Sequence, residues 1–216
     1  MRANYNRFLP AYVARQLLEN PESIALGGTN QTVTVLFADI RGFTGLSERA
    51  KPERILQLLN RYFSEMSEII FAHGGTLDKY IGDGLMALFG APIPAPEDAA
   101  NAVETAVAMQ QRIEKLNDQL EADGFERLNV GIGLHTGEAI VGYVGSEKRS
   151  EYTAIGDTVN LAARLESNAQ AKQILISDAT AAAIENRFSL RAMPPITVKN
   201  RTQPVPLFEV NWKQLQ

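Results

Sequence analysis

Apolar residues fill both faces of a short segment that begins at Val33. Val33, Val35 and Phe37 alternate on one face of a strand, and Leu36 makes the opposite face apolar as well. This pattern is typical of a central strand in a sheet that is covered on both sides. The run ends in Asp39, and the segment IRGFT follows at once. The sequence therefore predicts a buried strand with a carboxylate at its end.

The rest of the chain alternates between helical and strand periodicity. Pro52 suits the first turn of a long helix, and His73 followed by Gly74 suits its C-terminal cap. The predicted elements are a strand at 33–39, a helix at 52–73, strands at 77–81 and 85–89, a helix that begins at Glu97 or Asp98, strands at 127–136, 139–144 and 152–155, a helix at 158–166, a strand from 174, a helix at 178–184 and a last strand at 207–210.

The β-α-β-β-α-β order of the first six elements predicts an α+β fold with a ferredoxin-like, palm-shaped core. Two helices would cover one face of its sheet, and the later elements would form a C-terminal α/β elaboration. We assign residues 31–216 to this domain and residues 1–30 to a helical connector that ends in a turn region at 21–30. The helix within 1–20 has two interpretations, a small packing helix or a link to an upstream regulatory domain.

The composition narrows the classes of function. The chain has 216 residues, of which 45% are hydrophobic, and this suffices for one well-filled globular core. A net charge of −4 gives no basic surface for nucleic acid, and the lack of cysteine excludes disulfides and thiolate sites. His73 and His135 are too few for a multi-histidine metal site. The sequence has no signal peptide and no apolar run of about 18 residues, so we expect a soluble, cytoplasmic domain without membrane insertion.

Two acidic residues are predicted to meet at one end of the sheet. Asp83 lies in a Gly-Asp-Gly turn, where an aspartate also has a purely structural explanation, because Asp and Gly adopt turn conformations readily. In the predicted fold, however, the hairpin adjoins the first strand, so Asp83 can approach Asp39. Two close carboxylates repel unless a cation lies between them, and oxygen ligands favour Mg²⁺ or Mn²⁺. Gly42 would let the backbone approach a ligand, and Thr44 or Ser47 would cap the next helix.

A second polar group lies on the helix at 158–166. Asn160 and Arg164 are four residues apart and therefore share one helix face, while Leu161 and Leu165 face the core. The pair is either solvated or serves to position a substrate and to stabilise charge on a phosphoryl group. Lys199 is a further candidate for phosphate contact, and its alternative is also a solvated side chain.

Five segments together resemble a known family. They are VLFADIRGFT, DKYIGDGLMALFG, GLHTGEAIVGYVG, YTAIGDTVNLAARLE and, near the C-terminus, ITVKN followed by PVPLFEV. In this order they resemble the class III nucleotidyl cyclase catalytic domain, the family of adenylyl and guanylyl cyclases. The resemblance extends from about residue 32 to residue 210.

The resemblance implies that the chain converts ATP to 3′,5′-cyclic AMP and pyrophosphate with two Mg²⁺ or Mn²⁺ ions in each active site. Asp39 and Asp83 match the family's metal-binding aspartates, and the Ile40 carbonyl is a further ligand. The remaining matches are Asn160 for orienting the ribose, Arg164 for the transition state, Lys199 for the terminal phosphates, Lys79 and Thr153 for the purine, and Gly42, Phe43 and Thr44 for the triphosphate loop.

The purine-reading pair favours adenine on chemical grounds. Lys79 offers only donors, which suits the N1 acceptor of adenine, and Thr153 can accept a hydrogen bond from the adenine amino group. Guanine presents N1–H and an amino group there, and would require an acceptor such as Glu in place of Lys79. A threonine at position 153 resembles the bacterial subgroup that includes bicarbonate-responsive members. Stimulation by bicarbonate is therefore a further hypothesis.

The family works as a head-to-tail dimer with its active sites at the subunit interface. This chain contains the residues of both half-sites, so a homodimer with two complete sites is expected. The alternatives are a guanylyl cyclase and a regulatory module that binds ATP without turnover, and intact Asp39, Asp83 and Arg164 argue against the latter. A diguanylate cyclase would need a Gly-Gly-acid-acid-Phe hairpin, which is absent because Thr-Leu-Asp follows Gly74 and Gly75.

Overall fold

The computed structural model describes residues 27–146, 149–197 and 204–214. Within these ranges the chain forms one mixed sheet with helices packed on both of its faces. The elements are β1 (Gly27–Ile40), α1 (Phe43–Arg49), α2 (Pro52–Ala72), β2 (Thr76–Ile81), β3 (Gly84–Phe89), α3 (Asp98–Ala122), β4 (Val130–Ser146), β5 (Arg149–Ile155), α4 (Asp157–Asn168), β6 (Ile174–Ser177), α5 (Asp178–Ala183), β7 (Leu190–Ile196), β8 (Val205–Val210) and a closing 3₁₀ turn (Trp212–Gln214).

The sheet has the strand order β2-β3-β1-β4-β6-β8-β7, and β5 pairs with β4 outside this path. β1 is antiparallel to both β3 and β4, which is the arrangement of the predicted β-α-β-β-α-β core. The predicted fold class is thereby confirmed, and β6, α5, β7 and β8 form the C-terminal elaboration. The predicted N-terminal helix within residues 1–20 lies outside the described residues.

The central strand β1 is covered on both faces, as its apolar pattern predicts. Leu36 and Ala38 belong to the larger core cluster, which lies under α2 and α3. Val33 and Val35 face the other way, into a second cluster to which α4 and β5 contribute. β5 therefore folds back over this second face of the sheet. This return brings residues of β5 close to the β2–β3 hairpin.

Two boundaries of the predicted strands were wrong, for one physical reason. Residues 27–30 continue β1 instead of forming a turn, and residues 139–144 continue β4 instead of forming a separate strand. The antiparallel ladder runs without a break from Gly27 opposite Tyr143 to Ile40 opposite Val130. Each strand thus completes the backbone hydrogen bonds of the other over its whole paired length, and this outweighs the local turn signals.

The prediction of a capping side chain before α1 was also wrong. Gly42 occupies the N-cap with φ 76°, and no side chain caps the helix. Ser47 instead donates a hydrogen bond to the Thr44 carbonyl, 2.8 Å away, inside α1. The ends of α2 agree with prediction, because Pro52 is in the first turn and His73 is the C-cap residue.

The edge strand β7 was not predicted, because its sequence contains Pro194 and Pro195. Prolines are tolerated in an edge strand, where one side of the backbone has no partner. Among the described strands β7 pairs with β8 alone, and its register shifts between Met193 and Ile196, where the prolines lie. Among the helices that the structure describes, none combines the length and the hydrophobicity needed to cross a membrane.

α4 lies directly against the backbone of β4. A Cβ atom on Gly133 would overlap the backbone of Leu165 and Glu166, and a Cβ on Gly137 would come within 2.8 Å of the Thr158 hydroxyl. The two glycines therefore allow the helix to approach the strand more closely than any side chain would permit. This close approach fixes α4, and with it Asn160 and Arg164, relative to the sheet.

Replacing Gly133 with alanine tests this contact. The added methyl group has no space against α4, so we expect Gly133→Ala to lower the free energy of unfolding by about 1–3 kcal/mol in urea denaturation. Gly45→Ala in α1 is the matched control, because its nearest neighbour is the flexible end of Arg49, 3.3 Å away. The control should be neutral or stabilising by up to about 1 kcal/mol. Equal effects at the two positions would contradict the close approach.

Candidate active site

The two predicted acidic residues lie at the same end of the sheet. Asp39 is near the end of β1, and Asp83 lies in the turn between β2 and β3, which pairs with β1. A Cβ atom on Gly84 would lie 2.9 Å from Asp39 Oδ1, so the Asp39 carboxylate covers the residue next to Asp83. The Asp83 carboxylate in turn accepts a hydrogen bond from the Ile40 backbone. The topology thus brings the two carboxylates together.

Both carboxyl groups are costly to ionise in this position. Burial raises the pKa of Asp39 to about 6, with further upward contributions from Asp83 and Glu166, and the nearby Arg41 only partly opposes them. Burial also raises the pKa of Asp83, against hydrogen bonds from its own backbone and from Ile40. A cation between the two groups would relieve this repulsion. An all-oxygen set of this kind suits a hard divalent ion such as Mg²⁺ or Mn²⁺.

The number of protein ligands is small. Among the described residues, no group of three or more His, Cys, Asp or Glu side chains is placed to hold a metal ion. Two carboxylates therefore leave coordination positions for backbone carbonyls, water and substrate oxygens, which is how Mg²⁺ is usually bound beside phosphates. The residues present fit such an ion as a partial set of ligands that the substrate and water would complete.

A buried hydroxyl lies beneath this acidic pair. Tyr62 of α2 is fully buried, and its hydroxyl makes no hydrogen bond to any residue that the structure describes. Burial raises the pKa of Tyr62, and the charges of Asp39 and Asp83 raise it further. The phenol therefore stays neutral. The periodicity of α2 predicted Tyr62 only as a core residue, and the structure also places it near the two carboxylates.

The predicted phosphate loop begins at the N-cap of α1. Apart from the chain neighbours of Gly42, no described residue lies within 4 Å of where a Cβ atom on Gly42 would be, so its backbone is open to an approaching ligand. Thr44 is exposed, whereas the Phe43 ring packs against the larger core cluster. Phe43 therefore anchors the loop through its side chain, and any contact it makes with a phosphate would come from its backbone.

Arg41 joins this loop to the end of α4. Its guanidinium donates to Asp39 Oδ2 at 3.2 Å, to Glu166 Oε1 at 2.6 Å and to the Ala169 carbonyl at 2.9 Å, and it also bonds the Glu166 carbonyl. Arginine provides five donors in one planar fork, which is what such a set of acceptors needs. Arg41 is thus a clamp between the acidic pair and the helix that carries Asn160.

Sequence reasoning missed this clamp. An arginine directly after a strand that is buried on both faces is unusual without a partner, because arginine is rarely buried unpaired. That signal was present in the sequence, but the identity of the partners was not. Glu166 and Ala169 are more than 120 positions away along the chain.

Lys79 and Thr153, the predicted purine-reading pair, are joined by a residue that was not predicted. The Thr153 hydroxyl donates a hydrogen bond of 2.5 Å to Asp78 Oδ2, and the Lys79 amine forms an ion pair of 3.3 Å with Asp78 Oδ1. Lys79 also donates to Glu151 Oε2, 3.1 Å away. Burial raises the pKa of Asp78, opposed by the Thr153 hydrogen bond and the Lys79 charge. Burial lowers the pKa of Lys79, but Asp78 and Glu151 outweigh it and the net pKa is raised.

Lys79 and Asp83 both lie on the β2–β3 hairpin, but they contact different parts of the chain. Lys79 contacts β5 through Glu151, whereas Asp83 contacts the end of β1. Asn160 and Arg164 lie on α4, the first exposed and the second half-buried, and the side chains of Leu161 and Leu165 are buried on another face. The structure therefore presents three groups of predicted site residues on one chain. Lys199 lies outside the described residues.

Substitution of Arg41 tests the clamp. Arg41→Ala removes several charge-assisted hydrogen bonds and leaves the Asp39, Asp83 and Glu166 carboxylates without their counterion. We expect the free energy of unfolding to fall by about 1.5–3 kcal/mol in urea denaturation. Arg41→Lys should lower it by less, because lysine retains the charge but not the planar fork of donors.

The matched control is Arg49→Ala. Arg49 pairs with Glu126 at 3.3 Å, but both side chains are about two-thirds exposed, at 64% and 60%. An exposed pair of this kind contributes less than about 1 kcal/mol. If Arg41→Ala destabilised the chain no more than Arg49→Ala, the contacts of Arg41 would not contribute more to stability than an exposed ion pair.

This chain is similar in sequence to known proteins over most of its length. Residues 28–209 match the model of the adenylate and guanylate cyclase catalytic domain. Adenylate cyclase 1 of Rhizobium meliloti is 34% identical over 205 residues, which are 94% of this chain and 31% of that protein. This chain thus spans about a third of the length of that relative.

Two solved structures are similar over most of their length. The guanylyl cyclase Cya2 has a TM-score of 0.83 and 40% sequence identity, over 86% of this chain and 94% of that chain. The adenylyl cyclase CyaB from P. aeruginosa has a TM-score of 0.82 and 41% identity, over 86% of this chain and 96% of that chain. In fold and in sequence, this chain is therefore about equally similar to a guanylyl cyclase and to an adenylyl cyclase.

Proposed function

This chain belongs to the adenylate and guanylate cyclase catalytic domain family, and from that premise we propose that it converts ATP to 3′,5′-cyclic AMP and pyrophosphate. The observation that carries the proposal is the meeting of Asp39 and Asp83 at one half-buried end of the sheet. In the reaction the ribose 3′-oxygen loses its proton and forms a bond to the α-phosphorus. The bond from the α-phosphorus to the bridging oxygen breaks, and pyrophosphate leaves.

Asp39, Asp83 and the Ile40 carbonyl would hold two Mg²⁺ or Mn²⁺ ions. When bound, such ions lower the proton affinity of an attacking hydroxyl and neutralise charge on the leaving group. The protein supplies the positions of the ligands. Arg41 holds Asp39 on one side, and the Ile40 backbone holds Asp83 on the other. Preorganised carboxylates of this kind need little rearrangement when the substrate arrives.

The remaining roles follow from the groups on the loop and on α4. The open backbone at Gly42, with Phe43 and Thr44, would contact the triphosphate, and Lys199 would contact its terminal phosphates. Asn160 would orient the ribose through its amide. Arg164 would place a guanidinium against the charge that develops on the phosphoryl group in the transition state.

We propose that these groups meet in a head-to-tail homodimer. Asp39 and Asp83 of one chain would then face Lys79, Thr153, Asn160 and Arg164 of the other, and each dimer would contain two sites. Exposed apolar side chains next to the purine-reading pair support an interface there. Their exposed fractions are unusually high for large apolar residues, namely Tyr80 43%, Ile81 50%, Ile140 54% and Ile155 49%.

The second candidate is a guanylyl cyclase, because the similar structure of Cya2 is described as one. The site chemistry favours ATP. Lys79 presents only donors, which match N1 of adenine and oppose the N1–H of guanine. Thr153, which is linked to Lys79 through Asp78, can accept a hydrogen bond from the adenine amino group.

One assay distinguishes the candidates. Purified protein with ATP or GTP and Mg²⁺ or Mn²⁺ should form cyclic AMP and pyrophosphate from ATP, with little cyclic GMP, and a chelator should abolish the reaction. Arg164→Ala should lower the rate about 10²–10³-fold, because it removes one transition-state donor, while the melting temperature stays close to that of the parent. ATP binding without any product would instead indicate a regulatory module, and a preference for GTP would indicate a guanylyl cyclase.

The same assay extends to regulation. Since the chain spans about a third of its R. meliloti relative, we propose that an upstream regulatory domain controls it in a longer protein. Repeating the assay with and without bicarbonate at fixed pH tests stimulation by inorganic carbon, and an unchanged rate would contradict it.

Mixing two inactive variants tests the shared site. Asp39→Ala and Arg164→Ala should each be nearly inactive alone, because every site in either homodimer lacks one group. After subunit exchange, the heterodimer contains one intact site, so cyclic AMP formation should return to a substantial fraction of the parent activity. The control is a mixture of Asp39→Ala with Asp83→Ala, which damages the same half-site and should show no recovery. Failure of the first mixture in chains shown to exchange would exclude shared sites.

A further inference from the structure

We propose that Asp78 determines the base preference of this site by fixing the direction of the Thr153 hydroxyl. Held in this way, the hydroxyl can only accept a hydrogen bond from the nucleotide. The inference rests on the proposed function, because it takes Lys79 and Thr153 as the residues that contact the base. It adds a specificity-determining residue that does not itself touch the substrate.

The geometry of the Asp78 carboxylate carries the first step. Its side chain has no exposed surface, and Thr153 is only 8% exposed. The distance of 2.5 Å between Thr153 Oγ1 and Asp78 Oδ2 is typical of a hydroxyl that donates to a carboxylate. An ionised carboxylate has no hydrogen to give, so the threonine must be the donor.

The ionised state of Asp78 has its own explanation in the structure. The Lys79 amine lies 3.3 Å from Oδ1, and the Ala154 backbone also hydrogen-bonds to the carboxylate. The Thr153 hydroxyl, the lysine charge and the Ala154 backbone together compensate the burial of this carboxylate. Glu151 holds the same amine from the solvent side at 3.1 Å, which keeps Lys79 in place between the two acids.

A threonine hydroxyl alone does not discriminate between bases, because it can rotate to donate or to accept. Once its hydrogen is committed to Asp78, only its lone pairs remain for another neighbour. The pair then presents a donor from Lys79 and an acceptor from Thr153. Adenine offers the complement, an N1 acceptor and an amino donor. Guanine offers O6 as an acceptor and N1–H as a donor, so both positions are mismatched.

The test is Asp78→Asn, which keeps the size of the side chain. Lys79 should attract the amide oxygen, so the amide nitrogen faces Thr153 and donates to it. The threonine hydrogen is then released and can point at guanine O6. We expect the ratio of kcat/KM for ATP to that for GTP to fall about 10–100-fold, since one buried hydrogen bond changes its sense. The ratio of the Kd for GTP to the Kd for ATP, from calorimetry with Ca²⁺ in place of Mg²⁺, should fall in parallel.

A double-mutant cycle separates this role from simple bracing of β2 against β5. Thr153→Val lowers the ratio by itself, and adding Asp78→Asn to it should lower the ratio much less than Asp78→Asn does in the parent, because only the smaller effect through Lys79 remains. Glu151→Gln is the matched control. It loosens Lys79 without touching Thr153, so whatever change it causes in the ratio should be the same in the parent and in the Thr153→Val background.

A swapped pair keeps the test decisive if Asp78→Asn does not fold. In Asp78→Asn with Thr153→Asp the amide donates to the new carboxylate, which again only accepts, so the preference for ATP should return to near the parent ratio. The proposal is overturned if Asp78→Asn lowers activity on both nucleotides equally, or if the swapped pair does not restore the ratio. A parent protein that binds ATP without forming product would refute the proposed function alone, since the Kd ratios still test Asp78.

Discussion

The uninterrupted pairing of β1 with β4 is the constraint on which the rest of this structure depends. It extends over all 14 residues of β1 and sets the frame on which the neighbouring elements are placed. On the other edge of β1, β3 pairs in a register that brings Asp83 to Asp39. On the far edge of β4 the chain adds β6 and β5, and α4 lies against its two glycines. A one-residue slip would turn every buried side chain of β1 to the opposite face.

Two side chains then link elements that the sheet alone does not connect. Arg41 ties the end of β1 to the end of α4, and Asp78 ties β2 to β5, which has folded back over the sheet. Both are charged groups inside the protein, and each is stable only because several partners of opposite charge or polarity surround it. They therefore hold the three groups of site residues at defined positions while making little contact with solvent.

The sequence predicts the secondary structure of this chain better than it predicts the contacts between distant segments. Periodicity was sufficient for β1, α2, the hairpin and α3, because each buries one continuous apolar stripe or strand. It failed at β4, where the polar segment around Glu138 resembles a turn but completes a ladder with β1, and at β7, where Pro194 and Pro195 argue against a strand in any position except an edge. The acidic pair followed from topology. The partners of Arg41 and Asp78 did not, because they come from distant segments that only the folded chain brings together.

The half-buried Asp39 and the buried Asp78 show why the surroundings of an acid matter more than its residue type. Burial raises the pKa of both Asp39 and Asp78. Around Asp39, Asp83 and Glu166 add negative charge that Arg41 alone does not balance, so the deficit favours a cation supplied from outside. Around Asp78, Lys79 and Thr153 compensate the charge within the chain, so no external ion is required. In the function that we propose, the surroundings of the first acid favour a metal ion, and those of the second fix the hydrogen-bond direction of its neighbour.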